Sequence, residues 1–274
     1  MKLKIMSIEK KAIGEKELPM QFNEEIRPDI IKRAVHAIQS NRRQPYGTSP
    51  EAGKRASAIV SKRRRDYKTT YGIGQSRTPR KVMSRRGTRM NWKGAFAPQT
   101  VGGRRAHPPK SSKELGKKIN KKERRKAIRS AISATIINSI VKERGHIIPN
   151  DYPFIIENKF EELDKTKTIE AILEKLGLTE ELIRASKKKV RAGKGKSRGR
   201  KYKKRKGPLL VVSKDCKLME ACSNLPGVDV VAVKNLNAEL LAPGTHMGRL
   251  TLFTEAAIKI LEEKRLFVKN QNGF

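Results

Sequence analysis

The sequence predicts an α/β fold: a mostly parallel sheet flanked by helices in three layers, with a long non-globular basic loop inserted after the first helix. Three observations predict it. In the last third of the chain near-continuous apolar strands alternate with helical stretches, the pattern of a parallel sheet covered on both faces. The net charge of +37, from 64 Lys and Arg against 27 Asp and Glu in 274 residues, is concentrated in a few segments. One of these, residues 42–110, is too poor in apolar side chains to build a core of its own.

The elements follow in order. Leu3, Ile5 and Ile8 suggest a first strand. A helix is predicted over 28–40, with Pro28 in its permissive first turn and Ile30, Ile31, Ala34, Val35 and Ile38 along one side. After Pro108-Pro109, Ser111 and Glu114 have the Ser-x-x-Glu spacing of a capping box. The stretch from there to the breaker Gly145 reads as one helix about 50 Å long. Its first half is basic (Lys117, Lys118, Lys121, Lys122, Arg124, Arg125), and its second half carries Ile128, Ile132, Ile136 and Ile140 at i+4 spacing. One half is expected against a polyanion and the other against the core.

Short helices are expected at 168–176 and 179–185. The remainder then alternates: strand 209–212, helix 214–222, strand 228–233, short helix 237–241, strand 250–253, helix 254–264. This order is Rossmann-like. Residues 1–41 and 111–274 are expected to form a single globular domain interrupted by a basic insertion at 184–206.

Residues 42–110 carry 19 Lys and Arg against two acids, residues 113–130 nine against two, and residues 184–206 fourteen against none, while the rest of the chain is near neutral. The reading is an ordinary soluble domain bearing three basic segments, and a polyanionic partner is implied. The first segment has five branched aliphatics, no Leu, six of the 13 prolines and eight of the 20 glycines, so it cannot offset its own ordering entropy. Five aromatics, Tyr46, Tyr67, Tyr71, Trp92 and Phe96, stand among its arginines.

Rings stack on bases while guanidinium groups bind phosphates. The candidate nucleic-acid contacts here are Arg42, Arg43, Gln44, Tyr46, Lys54, Arg55, Arg63, Arg64, Arg65, Arg85, Arg86, Arg89, Trp92 and Lys93. Lys117, Lys118, Lys121, Arg124 and Arg125 join them from the long helix. The segment at 184–206 is low-complexity and expected to be extended unless phosphates hold it, with Lys194, Lys196, Arg198, Arg200 and Lys203 as its candidates.

Other classes are excluded or left without residues. No apolar run approaches the roughly 18 residues of a membrane span, and the first residues hold no stretch long enough for a signal peptide, so a soluble cytosolic protein is expected. Cys216 and Cys222 match no common zinc or redox spacing and read as inert, partly buried thiols. The glycine clusters at 193–199 and 72–74 lack the strand before and the helix after that a nucleotide fold needs. His36, His107, His146 and His246 form no catalytic or metal constellation, so no catalytic residue and no metal ligand is assigned. His107, between Arg104-Arg105 and Pro108-Pro109, reads as a nucleic-acid contact, and His246 as part of a turn before the last strand.

Arg43-Gln44-Pro45-Tyr46-Gly47-Thr48-Ser49-Pro50-Glu51-Ala52-Gly53-Lys54-Arg55 and Gly102-Gly103-Arg104-Arg105-Ala106-His107-Pro108-Pro109-Lys110 resemble the two borders of the loop in the universal large-subunit ribosomal protein four family, in its archaeal and eukaryotic branch. The likeness extends over nearly the whole chain, including Asn235-Leu236 and Leu241-Ala242-Pro243-Gly244. With no long lysine-rich tail after Lys264, the archaeal form is the better fit.

The resemblance implies a non-enzymatic constituent of the cytoplasmic large ribosomal subunit. A globular domain would lie on the solvent side, and a long loop would thread through rRNA to the wall of the peptide exit tunnel. The implied partners are large-subunit rRNA, neighbouring large-subunit proteins and the nascent peptide, with no membrane and no homo-oligomer. No cofactor is implied beyond Mg2+ associated with the rRNA. Carried over, 42–55 and 103–110 form the RNA-bound base of the loop, including Arg104, Arg105, His107 and Lys110. The tip falls at Tyr71, Gly72, Ile73, Gly74, Gln75, Ser76, Arg77 and Arg80, in a stretch that departs from the Trp-Gly or Phe-Gly and Gly-Arg run common among relatives.

Two further classes fit the charge: a DNA-compacting protein, and an RNA-modifying enzyme on a Rossmann-like sheet. Competition between ribosomal RNA and duplex DNA separates out the first, and binding of a nucleotide or methyl-donor cofactor the second.

Overall fold

In the computed structural model, which describes residues 1–87 and 89–268, strand β1 (Lys2–Met6) pairs antiparallel with β2 (Ala12–Glu17). Leu3 and Ile5 of β1 face the interior, whereas Ile8 lies past the strand with its amide donating to Glu157 (2.9 Å). β2 has no apolar face and is nearly all exposed, so no alternation announces it. Its Lys and Glu side chains discourage further pairing at this sheet edge.

Helix α1 (Pro28–Asn41) follows as expected, burying Ile31, Ala34 and Val35 at i, i+3 and i+4. Contacts then divide the chain into two compact units, Met1–Arg42 with Gly116–Phe274, and Arg43–Leu115. The second unit contains strands β3 (Arg80–Arg86) and β4 (Arg89–Gly94).

The long helix expected from Ser111 is shorter. Helix α2 spans Lys121–Ile136, and residues 111–120 are not helical, so the Ser111–Glu114 capping box does not form. Gly116, passed over as a breaker, costs about 1 kcal/mol inside a helix. In addition the amide of Lys117 donates to the side chain of Asn41 (2.9 Å) rather than to a helical carbonyl. At the other end Ile137 is extended and a short α3 (Asn138–Glu143) begins anew, with Tyr152 taking the carbonyl of Thr135. Ile128, Ile132 and Ile136 are buried as expected.

Strand β5 (Ile155–Ile156) is too short to read from sequence, yet it lies inside the sheet between β1 and the last strand. Helices α4 (Thr166–Leu173) and α5 (Thr179–Ser186) come next. The segment at 184–206 is not extended coil: it contains a hairpin of β6 (Lys188–Val190) and β7 (Tyr202–Lys204). The C-terminal third then gives β8 (Leu209–Val212), α6 (Lys217–Cys222), β9 (Asp229–Ala232), α7 (Ala238–Leu241), β10 (Thr251–Thr254) and α8 (Glu255–Glu263). Asn237 and Thr254 cap α7 and α8 with their side chains, as residues of this type do.

The main sheet runs β2-β1-β5-β10-β8-β9 and is parallel apart from β2. Successive side chains point to opposite faces. Ile155, Leu209, Val211 and Phe253 pack with residues of α1, α2, α7 and α8, while Ile156, Leu210, Val212 and Leu252 pack with residues of α4 and α6. The expectation of a mostly parallel sheet flanked by helices holds, and the last strand inserts between β5 and β8, an order other than the doubly wound 3-2-1-4-5-6.

Arg249, just before β10, is wholly buried. It donates to the carbonyls of Gly207 (2.9 Å), Leu240 (3.1 Å), Pro208 (3.3 Å) and Gly227 (3.4 Å), and pairs with Asp229 (2.6 Å).

Candidate nucleic-acid interface

The unit Arg43–Leu115 is not structureless. In its hairpin Val82 opposes Trp92, with an irregularity between Val82 and Ser84. Lys81 lies opposite Lys93 and Arg86 opposite Arg89, pairs that repel unless an anion lies between them. Among the described residues of this unit no cation is ion-paired to a carboxylate. Its acid Asp66 is occupied by the hydroxyl of Ser61 and the amide of Tyr67.

Most of its aromatics are covered by the chain's own cations. Arg64 and Arg77 lie 5.0 and 5.7 Å from the Tyr71 ring centre, Arg85 and Lys68 5.2 and 5.4 Å from Tyr67, Arg80 5.7 Å from Trp92, and Arg104 5.7 Å from Phe96. Within the expected tip, Gly72, Ile73, Gly74 and Gln75 are exposed, whereas Arg80 is the first residue of β3 and donates to the Ser76 carbonyl (2.6 Å).

The two border motifs meet backbone to backbone. The amide of Thr48 donates to Pro109 (3.1 Å) and Gly53 lies so close to Arg104 that a Cβ would meet its Cα at 2.5 Å, while the Arg104 amide ties the second motif to Phe96 (3.2 Å). A Cβ on Gly47 would collide with the backbone nitrogen of Ser111, and one on Gly103 with the carbonyl of Ala97, which is why the motifs contain glycine there. Gly103→Ala is accordingly expected to destabilise this unit by about 1–3 kcal/mol. Limited proteolysis checks it: cleavage within 43–115 should accelerate several-fold, and an unchanged rate would show that the borders are not closely packed.

In the first unit the 188–204 hairpin also sets like charges opposite each other, Lys188 with Lys204 and Lys189 with Lys203. Its turn is shaped by backbone bonds such as Arg191 to Lys201 (2.8 Å) and Arg200 to Gly195 (3.1 Å), leaving Lys194, Lys196, Arg198 and Arg200 exposed. At the base of this hairpin is a cleft of about 1100 Å³, lined by Arg144, Arg184, Lys187, Lys189, Lys203, Lys204, Arg205 and Lys206 with the single acid Glu143. Burial pulls the Arg144 guanidinium down to about 10, with Arg249 and Arg184 adding to the effect.

The cleft wall is held by Glu181, which accepts from Arg184 (2.6 Å) and the amide of Ile147 (3.1 Å) and lies 2.7 Å from His146 Nδ1. Burial alone would raise the Glu181 carboxyl, but the hydrogen bonds from Arg184 and His146 hold it below its ordinary value. His146 is itself pulled down, by burial first. Sequence places Lys189 and Lys204 only within a cationic segment and does not connect Arg144 with it, because nothing local marks which cations share a concave surface.

Of the remaining predicted contacts, Lys117, Lys118, Lys121 and Arg124 are exposed and Arg125 half-buried. Some cations of the basic segments are engaged internally: Arg42 pairs with Glu239 (2.6 Å), and Arg129 with Glu24 (2.7 Å). Gln44, Lys54, Arg55, Arg63, Arg65 and Lys110 are exposed, with Arg55 reaching Ser49 at 3.5 Å.

The carboxyl ends of the parallel strands, where α/β sheets commonly bind ligands, are occupied from within. Glu161 accepts from the amide and hydroxyl of Ser213 (2.9 and 2.5 Å) after β8 and from Thr254 (2.5 Å) at the end of β10. Nearby, burial pushes the Cys222 thiol up to about 12 and also raises Cys216, which suits inert thiols. Among the described residues no group of three or more His, Cys, Asp or Glu could hold a metal ion, and no helix is long and apolar enough to cross a membrane.

Comparison with known proteins adds the lineage of these motifs. The chain is 50% identical over 268 residues to the large ribosomal subunit protein uL4 of Nanoarchaeum equitans, an alignment covering 97% of this chain and 100% of that protein. It is 45% identical over 267 residues to the uL4 of Archaeoglobus fulgidus (96% and 99%), and 47% identical over 266 residues to that of Methanocaldococcus jannaschii (96% and 99%). The family described as Ribosomal protein L4/L1 matches residues 16–264, which takes in β5, β8, β9 and β10 of the sheet, the basic hairpin and both border motifs at once. With the family match over most of the chain and relatives aligned at nearly full length, the chain belongs to the ribosomal protein L4/L1 family.

Proposed function

We propose that this chain is a structural, non-enzymatic constituent of the cytoplasmic large ribosomal subunit, binding large-subunit rRNA and supporting subunit assembly. The observation that carries the reading is the division of labour in the charge. The Arg43–Leu115 cations form no ion pair with an acid among the described residues, while the rest of the chain, whose own excess of cations lies in 117–130 and 184–206, closes a two-sided core. Phosphates supply the counter-charge that the chain lacks. Relatives of nearly the same length, named as large-subunit proteins, support the assignment.

In finer detail, residues 1–41 and 111–274 are the globular body, with 184–206 as a basic projection. Residues 42–110 are the long loop, its base at 42–55 and 103–110 on rRNA and its tip at 71–80 on the exit-tunnel wall beside the nascent peptide. Neighbouring large-subunit proteins flank the body, Mg2+ accompanies the rRNA, and a single copy is present per subunit.

The test is sedimentation of a native lysate on a sucrose gradient after a high-salt wash. The chain is expected to stay with the large subunit at salt that strips loosely bound basic proteins. Migration at the top, or with DNA, would overturn the reading in favour of non-specific polyanion binding.

A further inference from the structure

We infer that the cavity at the border motifs is a pocket for one unstacked nucleobase of an RNA strand. The inference rests on the RNA-binding reading above and specifies which part of the RNA this place takes. The cavity has a volume of about 650 Å³ and lies wholly within the Arg43–Leu115 unit, with Tyr46, His107 and Pro108 in its lining and Arg43, Arg105 and Lys110 around them. That volume falls within the range of pockets that hold small organic ligands.

Tyr46 is what distinguishes the place. Tyr67, Tyr71, Trp92 and Phe96 each have a Lys or Arg of the chain itself over the ring, so stacking a base on them would require displacing a cation. Among the described residues Tyr46 has no cation or second ring over it, and it is 61% exposed. An open aromatic face beside uncommitted cations is the arrangement that stacks a base and holds the phosphates on either side of it. Arg43, Arg105 and Lys110 are exposed, and among the described residues none makes an ion pair or a side-chain hydrogen bond.

The wall is formed before any ligand arrives. The Thr48–Pro109 hydrogen bond and the close approach of Gly47 to Ser111 fix the segment at Tyr46 against the one at Pro108-Pro109, and two prolines stiffen that side. The Ser112 hydroxyl and the His107 ring, both in the lining, can hydrogen-bond a base edge. A base inside a helix has both faces covered by its neighbours, so only an extruded base can use this face.

The experiment uses the full chain and an RNA hairpin carrying one bulged 2-aminopurine, alongside the same hairpin without the bulge and with an abasic bulge. The intact protein should bind the bulged RNA roughly tenfold or more tighter than both controls, with quenching of the 2-aminopurine fluorescence. Tyr46→Ala should abolish that preference and the quenching, so that bulged and unbulged hairpins bind it alike. Tyr46→Phe should retain both, and Tyr67→Ala should behave as the parent. Circular dichroism checks that the variants fold, which the exposure of Tyr46 favours. Equal binding of bulged and unbulged RNA by the intact protein, or a preference that survives Tyr46→Ala, would overturn the pocket while leaving RNA binding intact. No binding to any of the hairpins at moderate salt would overturn the RNA reading itself, and the pocket with it.

Discussion

Replacing Arg249 by leucine is expected to cost about 3–5 kcal/mol of folding stability, the range for breaking a buried ion pair from one side. The effect is large because one guanidinium satisfies several groups. The carbonyls of Gly207, Pro208, Gly227 and Leu240 converge on it, and Asp229 at the start of β9 completes its charge balance. Leucine would take away the guanidinium bonds of all four carbonyls. Pro208 and Gly227 keep the amides of Asp229 (3.2 Å) and Gly207 (2.9 Å) and Asp229 keeps Lys206 (2.8 Å), so the penalty falls on the Gly207 and Leu240 carbonyls and on the buried side of the Asp229 charge. A domain stable by roughly 5–15 kcal/mol would lose a major share of that margin.

Urea unfolding checks it: the midpoint should fall with little change in slope. A loss below about 1 kcal/mol would show that water satisfies these carbonyls as well as Arg249 does. Asp229→Asn should cost less, because the carboxylate is partly exposed, at 31%, and the carbonyl acceptors remain. The pair also sets an acid limb. Burial alone would raise the Asp229 carboxyl, but Arg249 and Lys206 more than offset that and hold it below its ordinary value. The folded state therefore binds fewer protons than the unfolded one in this range, so the contribution is complete above a pH of about 4 and is lost as pH falls through the folded value. In Arg249→Leu that acid-side loss should shrink.

Arg249 also shows where sequence reasoning runs out. In a chain with 64 Lys and Arg, one more arginine ahead of an apolar strand looks like a surface cation, and its burial depends on four carbonyls contributed from 207, 208, 227 and 240. Glu181 is hidden in the same way, since its partners His146 and Ile147 are more than 30 residues away. What was legible is what local chemistry dictates. The Leu209–Val212 run is buried on both faces and so apolar throughout, and Asn237 and Thr254 announce their helices by capping them.

β2 and β5 escaped because an exposed edge needs no apolar face and two residues carry no period. For the site, charge counting marks out the basic segments. It could not separate Arg129, committed to Glu24, from Lys194, which no acid engages among the described residues, nor show that Tyr46 alone of the five aromatics is uncovered. Those distinctions depend on which side chains tertiary packing brings within a few ångströms of each other.

The same distinction sets the second large effect. Converting Lys194, Lys196, Arg198 and Arg200 together to glutamine is expected to weaken binding to a large-subunit RNA fragment on the order of 10³-fold near 0.1 M salt. It should also flatten the dependence of log affinity on log salt by about 3, since every phosphate left without its cation takes roughly 0.7–0.9 from the slope. The hairpin should survive the change, because its turn is held by backbone bonds such as Arg191 to Lys201 and Arg200 to Gly195 rather than by those side chains. Removing like charges near Lys188, Lys189, Lys203 and Lys204 relieves repulsion across the strands.

Arg129→Gln is the contrast. It should lower the unfolding midpoint by losing the Glu24 pair and the bond to the Phe267 carbonyl (2.5 Å), yet leave the salt slope unaltered. Titrations of both variants between about 0.1 and 0.4 M salt decide the matter. An unchanged slope in the quadruple variant would mean that the hairpin does not contact phosphates. A flattened slope in Arg129→Gln would mean that its ion pair opens to bind RNA, and that intramolecular pairing does not separate structural cations from RNA-binding ones in this chain.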